Sequence, residues 1–225
     1  MSQRKYTLEI LDDTSLTRGK PENFPMEQNL KLTLTDGDLL HVPTKYRRLV
    51  GRLIYLTVTR PYIIYWVSTL SQFMQEPHKT HWDATLRVLN YNKGTPRQWL
   101  LLPFDNNLKM KSLLRFKLGR MSTWRSYSSY CIFMGNSLVS WKYKKQTNLS
   151  RSSVEAEYQA TTNTCLELTL LRYILRDLKL PIPTPLYCYN QATLHIAANP
   201  VFHKRTKHIE INCYIIRKKS CKFGW

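Results

Sequence analysis

The spacing of apolar residues changes near Pro96, and this change constrains the fold more than any other feature of the sequence. Before Pro96, apolar residues recur every three or four positions, which is typical of helices that bury one face. After it, short apolar runs are separated by turn signals such as Gly135-Asn136, which is typical of strands. We therefore predict two domains, a helical one over residues 1–97 and a mixed one over residues 98–225.

Three helices with short links are predicted in the first domain. Thr44 is placed to cap the first helix, and Pro61 is placed to begin the second. The third helix runs from about Thr80 to Gly94. The buried face of the first helix is predicted to consist of Tyr46, Leu49, Val50, Leu53 and Ile54.

Four apolar runs and a long helix are predicted in the second domain. The runs cover residues 99–104, 108–118, 130–134 and 138–141. They predict an antiparallel meander, and a helix that begins near Ser152 and ends before Pro181 should lie across it. A short strand over 186–189 and helices over 191–198 and 206–219 complete the pattern. The fold class is therefore α/β, or α+β: a helical segment followed by a mixed sheet with flanking helices.

The chain is strongly basic, with 34 Lys and Arg against 15 Asp and Glu and a formal net charge of +19. Nucleic acid is the expected partner, because each neutralised phosphate releases condensed counterions. A basic composition with no selected partner is the alternative. The sequence shows no signal peptide and no uninterrupted apolar run of membrane-spanning length. We therefore expect an intracellular protein, cytoplasmic or nuclear, with no membrane partner.

Basic side chains cluster in places that suit phosphate groups. One cluster forms a stripe on the first helix, a second precedes the long helix, and a third lies towards the end of the chain. The candidate nucleic-acid-binding residues are Lys45, Arg48, Arg52, Lys144, Lys145, Arg151, Arg205 and Lys207. A solvated charged surface without a ligand is the alternative for each cluster. His78 and His81 suggest zinc, but without a complete tetrahedral set we interpret them as surface or capping residues.

Several short motifs occur in the order and spacing of one known family. They cover residues 46–61, 70–73, 80–82, 93–96, 130–135, 150–158, 199–203 and 205–210. These segments resemble the stretch that follows the polymerase core in the Pol polyproteins of copia-type retrotransposons. The resemblance runs from about residue 2 to residue 219. It implies the C-terminal end of a reverse transcriptase, including its thumb and connection, joined to a ribonuclease H domain.

The ribonuclease H domain of that family cuts the RNA strand of an RNA–DNA hybrid with two divalent ions held by converging carboxylates. Here Arg115 and Lys117 stand where the resemblance implies two aspartates, and Tyr189 stands where it implies a third. Glu157 and Glu210 remain as vestigial catalytic positions. Cations at Arg115 and Lys117 are expected to reverse the charge of the metal site. The resemblance therefore implies a degenerate, catalytically inactive site.

Glu157 is the better preserved of the two remaining positions. A helical wheel places it closer than Glu155 to the apolar stripe of the long helix, so we expect Glu157 to reach the sheet. A solvated carboxylate near a helix N-terminus, where the helix dipole favours it, is the alternative interpretation.

Three functions are compatible with the sequence. The preferred one is a degenerate Pol fragment that binds RNA, DNA or their hybrid without cutting it and without a cofactor, with an intact polyprotein as a further candidate partner. The second is an active ribonuclease H that uses Mg²⁺ and a third acid such as Asp105 or Asp177.

The third is a translated relic with no selected function. Burying Arg115 and Lys117 in a central strand without compensation would cost several kcal/mol, which favours this hypothesis. Polymerase chemistry is not expected from these residues, because the Asp-Asp metal motif of the family lies upstream of the matched segment.

Overall fold

The computed structural model divides the chain into two compact units, Met1–Leu101 and Leu102–Trp225. It describes residues 3–16, 19–27, 30, 32–35, 37–96, 98, 100–103, 109–117, 125–146, 153–180 and 186–187. The described helices and strands make a mixed α/β fold, as predicted. Among these residues, no helix is both long and apolar enough to cross a lipid bilayer.

Unit 1 is helical. Its elements are α1 (Arg4–Asp13), α2 (Pro43–Leu56), a 3₁₀ turn (Pro61–Ile63), α3 (Ile64–Leu70), a second 3₁₀ turn (Ser71–Phe73) and α4 (Lys79–Gly94). Helix α1 was not predicted, because local signals oppose it: no side chain caps its start, and Asp12 and Asp13 occupy its last turn. It packs through Ile10 and Leu11, which are buried.

Helix α2 begins two residues earlier than predicted. Pro43 is its first residue and Val42 precedes it, so the prediction that Thr44 caps the helix is wrong. Proline suits this position because the N–H that it lacks would have no helical partner there. The buried face is otherwise as predicted, except that Ile54 is 44% exposed. Its neighbour Leu53 is buried, and one residue is a 100° step around a helix.

Arg60 is the largest fully buried side chain of unit 1 and is only 1% exposed. Its Nη1 donates to the Tyr62 hydroxyl at 2.9 Å and to Asn92 Oδ1 at 3.0 Å, and lies 3.4 Å from Thr95 Oγ1. Neutral oxygens thus solvate a buried cation. The guanidinium therefore joins the segment before α3 to the end of α4.

His78 and His81 form a pair at the start of α4. The His78 backbone N–H donates to His81 Nδ1 at 2.9 Å, so the ring hydrogen of His81 lies on Nε2, which donates to Thr33 O at 2.9 Å. His81 is fully buried and stacks on Phe73 at 3.9 Å. The capping interpretation is confirmed, and the surface alternative is wrong because both rings are buried.

Unit 2 places one long helix on a sheet. Its elements are β1 (Met110–Lys117), β2 (Tyr127–Met134), β3 (Ser137–Lys145), α5 (Ser153–Asp177) and β4 (Leu186–Tyr187). The strand order is β3-β2-β1-β4; β1, β2 and β3 are antiparallel, and β4 is parallel to β1. The predicted turn at Gly135-Asn136 is confirmed, and Gly135 adopts a φ of 59°. Residues 100–103 are not in a strand, contrary to prediction; Pro103 has no N–H for a ladder.

The two faces of β1 have different environments. Met110 and Leu114 are buried on the face that α5 covers, while Lys111 and Arg115 are exposed on the other. The expectation that Arg115 is a buried charge is therefore wrong. Along α5 the residues of the predicted apolar stripe are buried, namely Tyr158, Thr161, Cys165, Leu168 and Leu175.

Leu178 is 63% exposed because it follows the helix end. The predicted helices over 191–198 and 206–219 lie outside the described residues.

Candidate nucleic-acid interface

Glu157 is buried in unit 2, with 3% of its surface exposed. Glu155 is half-buried, so the helical wheel correctly predicted which of the two acids is more buried. Arg115 lies on the sheet face that points away from α5. The positive charge of Arg115 therefore lies on the opposite side of the sheet from α5, which carries Glu157. The side chain of Lys117 lies outside the described part.

The third acid of the ribonuclease H alternative is not Asp177. Asp177 ends the same helix that carries Glu157 near its start, and a rise of 1.5 Å per residue separates the two by about 30 Å. The other positions of this alternative, Asp105, Tyr189 and Glu210, lie outside the described residues. Within the part that is described, no three His, Cys, Asp or Glu side chains are grouped to hold a metal. The described carboxylates alone therefore do not form a two-metal site.

Three predicted cations of unit 1 line one cavity of about 490 Å³. Lys45, Arg48 and Arg52 follow each other at helical spacing on α2, on a different face from its buried residues. The cavity walls are Asp13, Thr14, Ser15, Lys45, Arg48, Leu49, Arg52 and Trp82. The cavity therefore combines cations, hydroxyls and one aromatic side chain, which are the groups that contact phosphates and bases.

Asp13 occupies the same cavity as a counter-charge. Its Oδ2 binds Arg52 Nη1 and lies 3.7 Å from Arg48 Nη2. The Arg52 guanidinium also lies 5.5 Å from the centre of the Tyr6 ring. No sequence pattern indicates that Asp13 belongs to this site, because it is far from both arginines along the chain. One acid thus partly neutralises two of the three cations.

The predicted lysines of β3 fall on two faces of the sheet. Lys142 and Lys144 are exposed and line a cavity of about 320 Å³ beside α5. Lys145 lies on the other face, 5.8 Å from the centre of the Tyr127 ring. Burial, and then the positive charge of Arg125, lower the pKa of Lys145. Lys144 and Lys145 therefore do not form one patch.

Glu167 is the carboxylate of this second cavity, but it binds hydroxyls. Its Oε1 accepts a hydrogen bond from Ser140 Oγ at 2.9 Å. Burial, and then the negative charge of Glu167, raise the pKa of Tyr130 to about 12. In the described part of unit 2, Lys142 and Lys144 have no ion pair. No ion pair with another described residue therefore neutralises their charge. The remaining predicted cations, Arg151, Arg205 and Lys207, lie outside the described residues.

Comparison with curated proteins gives matches along almost the whole chain. The retrovirus-related Pol polyproteins from transposons RE2 and RE1 of Arabidopsis thaliana are 40% and 39% identical to it over 222 residues, which is 97% of this chain. The chain is thus similar to one segment of the transposon Pol polyproteins. The predicted resemblance is confirmed at this level. The chain spans 15% of the length of each of these two polyproteins.

A shorter relative also aligns with this Pol segment. An uncharacterized mitochondrial protein of Arabidopsis thaliana is 36% identical over 170 residues, which is 75% of this chain and 70% of the relative. No family model and no solved structure matches the chain.

Proposed function

We propose that this Pol segment corresponds to the end of the reverse transcriptase and the ribonuclease H domain, and that it binds RNA, DNA or their hybrid without cutting it. One observation carries the proposal. Three predicted cations gather at one cavity of unit 1, and predicted Lys144 lines a second cavity beside Lys142, whereas the described carboxylates do not gather into a metal site. Binding is thereby favoured over metal-dependent hydrolysis.

The arrangement of unit 2 supports the ribonuclease H assignment. Three antiparallel strands come first, a helix follows, and β4 then pairs in parallel with β1. The motif resemblance implies the same order of elements for a ribonuclease H domain.

Binding through such cavities would depend on phosphate contacts. It should be sensitive to salt and weakly selective for sequence, because phosphates carry no base information. The proposal includes no resident cofactor and places the protein inside the cell, in the cytoplasm or nucleus. An intact polyprotein is a second partner in this proposal. Mg²⁺ enters only under the alternative of an active ribonuclease H, which would need acids beyond the described residues.

The test measures binding and cutting of one labelled RNA–DNA hybrid in the same samples. Binding is followed against salt concentration, and cutting is followed with Mg²⁺ or Mn²⁺. We expect Lys45→Glu combined with Arg48→Glu to weaken binding by about tenfold or more and to reduce the salt dependence, because phosphate contacts are lost. Lys5→Glu combined with Lys20→Glu is the matched control, since both are exposed lysines of unit 1 that line neither cavity and the pair changes the net charge by the same amount.

Each result has a definite meaning. Equal weakening by the control would show that overall charge, and not the cavity, sets the affinity. Metal-dependent cutting that Glu157→Gln abolishes would overturn the non-cleaving assignment. Absence of both binding and cutting would favour the translated relic.

A further inference from the structure

We infer that Asp13 is an internal competitor for phosphate at the cavity of unit 1, and that it limits how tightly the chain binds nucleic acid. The inference rests on the proposed function and adds regulation of the same site. It assigns a role to Asp13, which was not among the residues predicted to bind nucleic acid.

The contacts of Asp13 match those that a phosphate would make. One oxygen of its carboxylate contacts Arg48 and Arg52 together. Arginine guanidinium groups bind carboxylates and phosphates through the same fork of donors. A phosphate entering this cavity must therefore take these donors from Asp13.

The position of Asp13 in α1 shows what holds it there. It is the last residue of the helix, where unpaired carbonyl groups concentrate negative potential and disfavour a carboxylate. The helix end thus disfavours the negative charge of Asp13, and the two arginines stabilise it. The Asp13 side chain is 51% exposed, and exposed ion pairs contribute little to stability. Displacement by a phosphate is therefore feasible without unfolding the helix.

Asp12 provides a matched comparison. It is the preceding residue of α1 and carries the same charge, but it lines a different depression, with Lys5 and Glu9 among its neighbours. Asp12 has no ion pair with Arg48 or Arg52 in the described structure. Removing its charge changes the net charge by the same amount without freeing the arginines.

The experiment compares Asp13→Asn with Asp12→Asn in the full chain, using fluorescence anisotropy of a labelled RNA–DNA hybrid over a series of KCl concentrations. Asparagine keeps the shape of the side chain and removes its charge. We expect Asp13→Asn to tighten binding by roughly three- to tenfold at low salt and to steepen the salt dependence by about one counterion. We expect Asp12→Asn to change the affinity by less than about twofold. Circular dichroism checks that both variants fold.

A third variant tests whether the gain acts through the arginines. In an Arg52→Gln background, Asp13→Asn should lose most of its effect, because Arg52 makes the closer of the two contacts with Asp13. Equal tightening by Asp12→Asn and Asp13→Asn would overturn the inference, since general charge would then explain it. An unchanged affinity of Asp13→Asn would overturn it as well.

If the proposed function is wrong, the binding measurements give a different result. If neither the wild type nor any variant binds the hybrid, nucleic-acid binding is refuted. The inference is then decided by the thermal stabilisation that inorganic tripolyphosphate produces. A larger shift for Asp13→Asn than for Asp12→Asn supports an internal competitor for phosphate, and equal shifts overturn it.

Discussion

Cations in the two units have different internal partners. In unit 1, Arg87 contacts both Glu22, at 3.5 Å, and Glu27, at 2.6 Å. Arg47 donates to the backbone oxygens of Met74 and Gln75 at 2.7 and 3.0 Å. These side chains connect helices and turns of unit 1, so their donors are already used within the fold.

Unit 2 uses its polar contacts differently. Glu167 accepts from Ser140, and the described ion pair of this unit, Arg176 with Asp177, is exposed. Lys142 and Lys144 form no ion pair within the described residues. The number of cations in unit 1 therefore overstates the positive charge that it can offer a ligand, because some of these cations have internal partners. In unit 2, Lys142 and Lys144 lack such partners among the described residues.

The largest expected change in the free energy of unfolding comes from comparing a buried, hydrogen-bonded cation with an exposed one. Arg60→Met should lower the free energy of unfolding by about 3 kcal/mol, because it leaves Asn92 and Tyr62 without their buried donor. Lys142→Met should change it by less than about 0.5 kcal/mol, since Lys142 is exposed. Urea unfolding followed by circular dichroism measures both. Similar losses for the two variants would contradict the difference between the units.

Two buried tyrosines give an intermediate effect. Tyr46→Phe should cost about 1 to 2 kcal/mol, because the Tyr46 hydroxyl donates to the buried Leu70 carbonyl at 2.7 Å. Tyr130→Phe should cost less, since Tyr130 is 8% exposed whereas Tyr46 is fully buried. Urea unfolding at neutral pH compares the two substitutions. A larger loss for Tyr130→Phe would refute this ranking.

The same tyrosines predict an alkaline loss of stability. Burial raises the pKa of Tyr130 from its ordinary value of 10.0 to about 12, and burial raises the pKa of Tyr46 above its usual range. The folded state therefore favours the protonated hydroxyls. For Tyr130 this contribution is complete below pH 10.0 and is lost as the pH rises through about 12. Unfolding midpoints across this range should fall less steeply for Tyr130→Phe than for the wild type, and identical slopes would exclude the effect.

The smallest expected effect is one that the units share. Ser15 and Lys179 follow α1 and α5 with φ angles of 57° and 60°, a left-handed conformation that favours glycine. Ser15→Gly and Lys179→Gly should each raise the free energy of unfolding by about 0.5 to 1 kcal/mol, as judged by thermal unfolding. Ser15→Ala and Lys179→Ala are the controls and should give no gain. An increase in the free energy of unfolding for only one glycine variant would mean that the ends of α1 and α5 are not equally strained.

Elements with strong local signals were predictable from the sequence. Pro61 begins a helical turn, and Gly135 closes the hairpin, because each residue fixes the backbone locally. Helix α1 was missed because its last turn is acidic and packing, not local preference, stabilises it. The burial of Glu157 followed from helical geometry alone.

The site was less predictable, because its geometry joins distant parts of the chain. The spacing of Arg48 and Arg52 indicated a basic stripe, but nothing local connects them to Asp13. Strand alternation would have separated Lys144 from Lys145 had a strand been predicted there. Asp177 failed as a third acid because a continuous helix fixes its distance from Glu157.

Strand β3 lies at one end of the strand order, and in the described sheet it has a neighbour on one side only. A strand edge can recruit a strand from another molecule, and lysines are among the side chains that oppose this. We therefore expect Lys142 and Lys144 to disfavour pairing between copies of the chain, and a variant that lacks both to aggregate more readily.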